Sequence, residues 1–298
     1  MTEATASERG STTGKPSPPP VYFLAGTAQR RRGNHVNHVW QGRVAHPDTA
    51  GESLPMILKY LPGQVQAAVE LACALAAREL ALPVPRPGLV VAEREFLREL
   101  PDSIPGEYLL LVGSHYQRPD SFMAEVTSAG DAAAEELIWR TVCSSPVGAP
   151  AAAFDELVAN SDRHCENMLF DGAQWWLFDH DAALPPAGQY VLTPALQAAR
   201  LHAAEFMAKA NQMAHEMLRR RPNDHGILAE PRRFEARSKR VHALAKYADE
   251  WTHEDPRIAQ VLQLTGVVLG LIHLRLAPLA EHLHTRLNQA APPSLPWS

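Results

Sequence analysis

The chain has 298 residues, is 46% hydrophobic and carries a formal net charge of -5 with a sequence pI near 6.3, enough apolar material for one large domain or two modest lobes. That charge balance gives no global reason to expect nucleic acid or an anionic membrane as a partner. Three cysteines, Cys73, Cys143 and Cys165, form an odd set without framework spacing, and no apolar signal region follows the polar start MTEATASERG, so a reducing cytoplasm is the simple expectation.

Residues 1–20 are rich in Ser, Thr, Gly and Pro and end in PSPPP. Such a composition buries too little apolar surface to offset the entropy of ordering, so a disordered arm is expected there. From Val21 to about Tyr116 the pattern is mostly β: VYFLAG, HVNHVWQGRV with partial alternation, LPMILKYL, GLVVAE and EYLLLVG, punctuated by Gly or Pro. One helix intrudes at Val65–Leu80, with Val65, Val69, Ala72, Leu75, Ala76 and Leu80 on one face, and LPVP closes it. The predicted order is strand, strand, strand, helix, strand, strand.

After Pro119 the pattern turns helical, through AAAEELIWRTVC and PAAAFDELVAN. Thr193 reads as an N-cap with Pro194 at the first position of a helix reaching toward Arg220. Further helices read from about Pro231 to Glu250 and from Pro256 to Asn288. The apolar run Val261–Leu274 falls short of the roughly 20 residues a membrane span needs, so it is expected to be buried core, and no membrane partner is expected. The fold class that follows is α+β: a β-rich lobe over 21–117, a larger helical lobe over 118–289 and a loose Pro-rich tail over 290–298.

The chemistry-bearing string starts at Phe154 and reads FDELVANSDRHCENMLFDGAQWWLFDHDAAL. Its two apolar runs, Met168–Phe170 and Trp176–Phe178, flank the turn residues Asp171, Gly172, Ala173 and Gln174, a hairpin signal. Symmetry about Ala173 places Asn167 opposite Asp179, and cross-strand Cβ atoms are only ~4.5–5.5 Å apart. An amide oxygen and a carboxylate then meet in a way that suits a hard cation such as Mg²⁺. Asp162 stands five residues before Asn167, the Asp-to-Asn spacing of a kinase catalytic loop. There the Asp orients and deprotonates the acceptor hydroxyl, while the Asn and a later Asp hold metal on the phosphates. Two other readings stay open. Asp162 can simply begin a turn after the preceding helix, and His164, Cys165 and His180 are all zinc-ligand types, although their adjacency lacks the usual ligand spacings.

The strings NSDRHCEN and WWLFDHDAAL resemble the N-x-D-R-H-x-x-N and hydrophobic-Asp-His motifs of HipA-like kinases, and phosphoinositide lipid kinases share a related loop. VELACALAARELALPVP resembles that family's helix beginning with Glu and ending in a Leu-Pro-Val-Pro turn, so the resemblance reaches from roughly Val21 to Leu184. It implies a bilobal protein-kinase-like fold with ATP and Mg²⁺ as cofactors, Asp162 as catalytic base, Arg163 and His164 shaping the catalytic loop, and Asn167 and Asp179 as metal ligands. Asp179-His180-Asp181 stands where protein kinases carry D-F-G, and Asp181 departs from the small residue favoured by HipA-like proteins; it either touches a second metal or caps the next turn.

Lys59 ends the strand LPMILKY and Glu70 lies on the next helix, an arrangement that imitates the strand-lysine and helix-glutamate pair that positions phosphates in kinases. Lys59 as an edge-strand solubility residue is the alternative. The connection GTAQRRRGNH offers Gly26, Thr27 and Gly33 to phosphates, and an ordinary basic hairpin loop fits it equally. Gly113 and Ser114 are the expected hinge facing adenine. The expected activity is transfer of the γ-phosphoryl group of ATP to a hydroxyl, with Ser or Thr of a protein as acceptor. The alternatives are a lipid or small-molecule acceptor, or a pseudokinase that binds nucleotide for regulation. HipA-like kinases can work with a DNA-binding antitoxin, so the resemblance also raises such a regulatory partner; the chain shows no helix-turn-helix signal of its own.

Overall fold

A computed structural model describes residues 15–31, 37–49, 51–184, 211–221 and 226–289. The β-rich half contains β1 (Val21–Leu24), β2 (Gln29–Arg30), β3 (His38–Ala45), β4 (Ser53–Tyr60), α1 (Gln64–Glu79), β5 (Pro87–Glu93) and β6 (Tyr108–His115). The strand order is β1-β5-β6-β4-β3-β2, and β1 also pairs with β3, so β1, β5, β6, β4 and β3 close into a five-stranded barrel. Only the β1–β5 pairing is parallel. Closure removes the exposed edges that a strongly twisted open sheet would leave. The barrel has its own core, with Tyr22, Trp40, Met56, Leu58, Val90 and Leu111 buried together.

Helix α1 is buried on more than the single expected stripe. Ala67, Ala68, Leu71, Ala72, Cys73, Ala76 and Ala77 are all buried, whereas Val65 and Leu75 are only partly so. The helix lies between the barrel and the helical half, and small side chains let backbones approach on both sides. It ends in a left-handed turn at Ala81 (φ 66°), with Leu82 N–H donating to Ala77 O at 2.9 Å and Ala81 N–H to Arg78 O at 3.0 Å.

The helical half begins with α2 (Ser121–Ala129) and α3 (Ala132–Ser144), N-capped by Asp120 and Asp131, followed by α4 (Gly148–Leu157). The hairpin β7 (Met168–Phe170) and β8 (Trp175–Leu177) comes next. Then come α5 (Gln212–Arg220), α6 (Gly226–Glu235), α7 (Ser238–Ala248), α8 (Pro256–Leu276) and α9 (Leu279–Gln289). The predicted helix opening at Thr193 lies outside the described residues until Gln212. Pro231, read as a helix start, sits inside α6, and the single helix expected over Pro256–Asn288 breaks at Ala277–Pro278, where proline lacks the N–H that continues the ladder.

At 21 residues α8 is long and apolar enough to cross a membrane, yet it packs on α1 and α7 with Val261, Leu262, Leu269 and Ile272 buried. The sequence assigned residues 1–20 to a disordered arm, and the structure corrects this for 15–20. Pro20 O accepts from Leu89 N–H at 3.0 Å, and Lys15 pairs with Glu250 while lying 5.2 Å from the Tyr247 ring centroid. This segment runs from the barrel to the helical half, and Leu89's donor in β5 supplies the local reason for its order.

Candidate active site

The segment Asn160–Asn167 is held by a buried charge knot. Helix α4 ends in a left-handed residue, Ala159 (φ 49°), which turns the chain so that Asn160 N–H donates to Asp155 O at 2.8 Å. The Asp155 carboxylate accepts from Arg163 Nε at 3.0 Å, Arg163 Nη2 at 2.9 Å and Asn160 Nδ2 at 3.1 Å. Arg163 Nη1 then donates to Asn167 O at 3.1 Å and to Phe178 O at 2.8 Å. Its Nη2 lies 3.2 Å from His180 Nε2. A guanidinium only donates, so Nε2 is the acceptor and the His180 proton resides on Nδ1. Burial and the Arg163 charge hold His180 well below the usual histidine range, hence neutral.

Arg163 is therefore buried and lines neither of the two cavities described below, which narrows the role expected for it. His164 is exposed, and its Nδ1 accepts from Glu166 N–H at 3.3 Å at the start of the 3-10 turn Cys165–Asn167. Burial pushes the Cys165 thiol up to about 12. Among the described residues His164, Cys165 and His180 do not come together as a group able to hold one ion, so the zinc reading has no geometric support.

Asp162 stands above this knot with its side chain exposed. Its carbonyl accepts from Asn167 Nδ2 at 2.7 Å, which spends the amide nitrogen of Asn167 and leaves its Oδ1 as the group available to a cation. The hairpin differs from the expected register by one position. Met168 pairs with Leu177 and Phe170 with Trp175, so Asn167 faces Phe178, whose N–H donates to Asn167 O at 3.2 Å. Asp171 fixes this turn by accepting from Ala173 N and Gln174 N at 2.8 Å each and from Trp176 Nε1 at 2.6 Å. Asp179, one residue beyond the pair, adopts a left-handed conformation (φ 62°), which is costly for most side chains and more accessible to aspartate than to most.

That turn brings Asp179 to Lys59 of β4. The Lys59 ammonium hydrogen-bonds Asp179 and lies 3.2 Å from Asp181, while Asn37 Nδ2 donates to Asp181 Oδ2 at 2.5 Å. Glu70 of α1 accepts from His180 N–H at 2.7 Å. The expected Lys59–Glu70 ion pair is thus replaced by contacts from Lys59 to the two aspartates, and Glu70 acts on the ammonium through space. Oxygens of Glu70, Asp179 and Asp181 lie within 4.8 Å of one another.

The electrostatics follow from this crowding. Burial pushes Lys59 down, but Glu70, Asp179 and Asp181 outweigh it and raise it. Burial lifts Glu70 to about 7 and Asp181 to about 6, the latter helped by its hydrogen bond to Asp179. Asp179 goes to about 2, because Lys59 and its hydrogen bonds overcome burial.

Two adjoining cavities share Val39, Lys59, Glu166, Asn167 and Asp179. One is a cleft of about 110 Å³ with an apolar wall that includes Ile57, Ala74, Val84, Val112 and Leu169. The other is polar and contains Asp162, His164 and Asp181. Gly113 and Ser114 line the cleft but lie inside β6, paired to β4 and β5, so they are wall and not hinge. Gly113 is needed there because a Cβ would meet Met56 Cε at 2.7 Å and Val90 Cγ2 at 2.8 Å. The connection between the halves is Tyr116–Asp120.

Gly26 and Thr27 are exposed and line neither cavity. They sit beside Arg43 at the end of β3 away from Val39, the partner of Lys59, so the expected phosphate contact is corrected. Gly33 lies outside the described residues. Sequence reasoning missed Asp155 and Asn37. The available signal for Asp155 was a carboxylate on the Ala-rich apolar helix PAAAFDELVAN, since a buried carboxylate requires a partner.

No protein-family model matches this chain, and no curated protein matches it. Among solved structures it is similar to a Helicobacter pylori proinflammatory kinase, CtkA, at 12% identity and a TM-score of 0.49, over 89% of this chain and 98% of that one. At that level the likeness carries no argument, and the site stands on its own geometry.

Proposed function

We propose that this protein is a Mg-ATP-dependent phosphotransferase of HipA-like, protein-kinase-like type, with Ser or Thr of a protein as acceptor. The observation that carries the reading is the convergence of Lys59, Asn167, Asp179 and Asp162 on two joined cavities, one apolar and one polar. The apolar wall of the cleft suits a flat base. The lysine between the two cavities suits phosphates.

The residues present fit a divalent metal. Three clustered carboxylates face one ammonium, and two of them are held partly protonated by their crowding, so a divalent cation can replace those protons; Asn167 lines the same cavity as Asp179 and Asp181 and offers an amide oxygen. Asn167 and Asp179 would hold the ion, and Asp181 belongs to the same cluster. A bound Mg²⁺ supplies charge neutralisation on the phosphates. The chain's own residues do the rest. Lys59 draws the phosphates to the joint of the cavities. The Asp162 carboxylate accepts the acceptor's proton as its oxygen bonds the γ-phosphorus and the bond to the bridging oxygen breaks, releasing ADP. The Arg163 knot fixes the loop that carries Asp162.

The test compares wild type with Asp162→Asn for ATP affinity and for transfer of labelled γ-phosphate to lysate proteins. Expected is an ATP affinity within a few-fold of wild type and a transfer rate lower by about 10²- to 10⁴-fold. Equal rates would refute the role of Asp162. Absence of transfer in both, with ATP bound, would identify a nucleotide-binding module instead.

A further inference from the structure

Two adjacent carboxylates at the end of α4 are buried to the same degree and look in different directions. Asp155 is 1% exposed and Glu156 2%. Asp155 grips Arg163 by two bonds and Asn160 by a third. Glu156 instead binds the helical half: it accepts from Asn211 Nδ2 at 2.8 Å, and lies 2.7 Å from His282 Nε2 and 2.6 Å from Arg286 Nε. One carboxylate serves the candidate catalytic loop and its neighbour serves α5 and α9.

We infer that Asp155 is a positioning residue of the reaction, acting through Arg163 to set the placement of Asp162 and Asn167 relative to Asp179. The inference rests on the phosphotransferase reading. The Arg163 guanidinium has its Nε and Nη2 fixed by the end of α4, and its remaining Nη1 donates to both Asn167 O, on the loop, and Phe178 O, next to Asp179, across the same junction that the Phe178 N–H to Asn167 O bond closes. A guanidinium is planar, so fixing one side of the fork fixes where the other side points. Moving the Asp155 carboxylate by one methylene therefore displaces the proton acceptor and the cation-binding groups together, without removing any of them. Displacements on the order of 1 Å cost reactions of this kind roughly 10²-fold.

The decisive variant is Asp155→Glu, which keeps the charge and shifts its position, with Glu156→Gln as the control of equal burial. For Asp155→Glu, kcat should fall on the order of 10²-fold while KM for ATP stays within a few-fold. Glu156→Gln should lower Tm and leave kcat unchanged well below its Tm. Amide exchange should quicken at Asn167 and Phe178 in Asp155→Glu and stay as in wild type in Glu156→Gln. A kcat and exchange pattern for Asp155→Glu equal to wild type would overturn the inference. If Asp155→Glu fails to fold, the double variant Asp155→Asn/Arg163→Gln, which removes both charges at once, is held to the same criteria; failure of both to fold would also overturn it, since the pair would then serve folding first. A wild type that transfers no phosphate would refute the proposed function, and the exchange comparison would still decide whether Asp155 positions the loop.

Discussion

Replacing Lys59 by Ala asks whether one ammonium keeps three crowded carboxylates ionised. The Lys59 ammonium bonds Asp179 and lies 3.2 Å from Asp181, and oxygens of Glu70, Asp179 and Asp181 fall within 4.8 Å of one another. At such a separation two unit charges of like sign repel by about 3.5 kcal/mol at an effective dielectric near 20. A site left with three carboxylates relieves this by taking up protons. Glu70, already lifted to about 7, and Asp181, lifted to about 6, both rise further in the variant. A carboxyl whose folded pKa exceeds its unfolded value binds more protons folded than unfolded, so stability falls as pH rises from the unfolded value through the folded one. The stability loss caused by Lys59→Ala should therefore be about 1 kcal/mol near pH 5, where Glu70 and Asp181 are mostly protonated, and about 3 kcal/mol near pH 8. Urea unfolding of both proteins at the two pH values measures it, and millimolar Mg²⁺ should recover part of the loss at the higher pH only. Equal losses at both pH values would refute the electrostatic account of the cluster.

Asp179→Asn should raise the Mg²⁺ concentration needed for half-maximal transfer by about tenfold or more, equivalent to ~1.4 kcal/mol, with Asp181→Asn milder; a metal titration that reverses this order would move the principal ligand two residues along. Ala81→Gly should stabilise the protein by up to about 1 kcal/mol in denaturant unfolding, because Ala81 is exposed at φ 66° and glycine adopts that conformation without strain. Gly266→Ala should destabilise by about 1–2 kcal/mol despite alanine's better helix propensity, since its Cβ would meet Ala248 Cβ at 2.5 Å and α7 and α8 would have to separate. An unchanged unfolding midpoint for Gly266→Ala would refute the close approach of α7 and α8 at this position.

Much of the outline was legible because short-range patterns decide it. The alternation and punctuation before Tyr116 mark the strands, and the Ala-rich stretch after Gly63 marks α1, since these depend on period and turn chemistry within a few residues. The spacing of Asp162, Asn167 and Asp179 was legible for the same reason: one hairpin brings them near each other. Register was harder. A turn of Asp171–Gln174 centres between Gly172 and Ala173, not on Ala173, and only the pairing of Met168 with Leu177 distinguishes the two. Gly26 and Gly113 were harder to read, because glycine reports backbone freedom or close packing, not which of the two applies; Gly113 and Ser114 line the cleft, but from within β6.

The sequence by itself determined the element types, the division into β-rich and helical halves, and the cluster of acid, amide and base types between Asn160 and Asp181, because each is written in residues near one another along the chain. Only the tertiary structure decided what these groups touch. Closure of the barrel brings β1 back against β3 across residues far apart in sequence, and the left-handed turn at Asp179 hands Lys59 to two aspartates, leaving Glu70 bonded to His180. Asp155 meets Arg163 because α4 ends where the loop doubles back beneath itself. Hydrogen bonds and ion pairs act over a few ångströms, while their partners in this site stand up to 144 residues apart along the chain, so no local pattern encodes them.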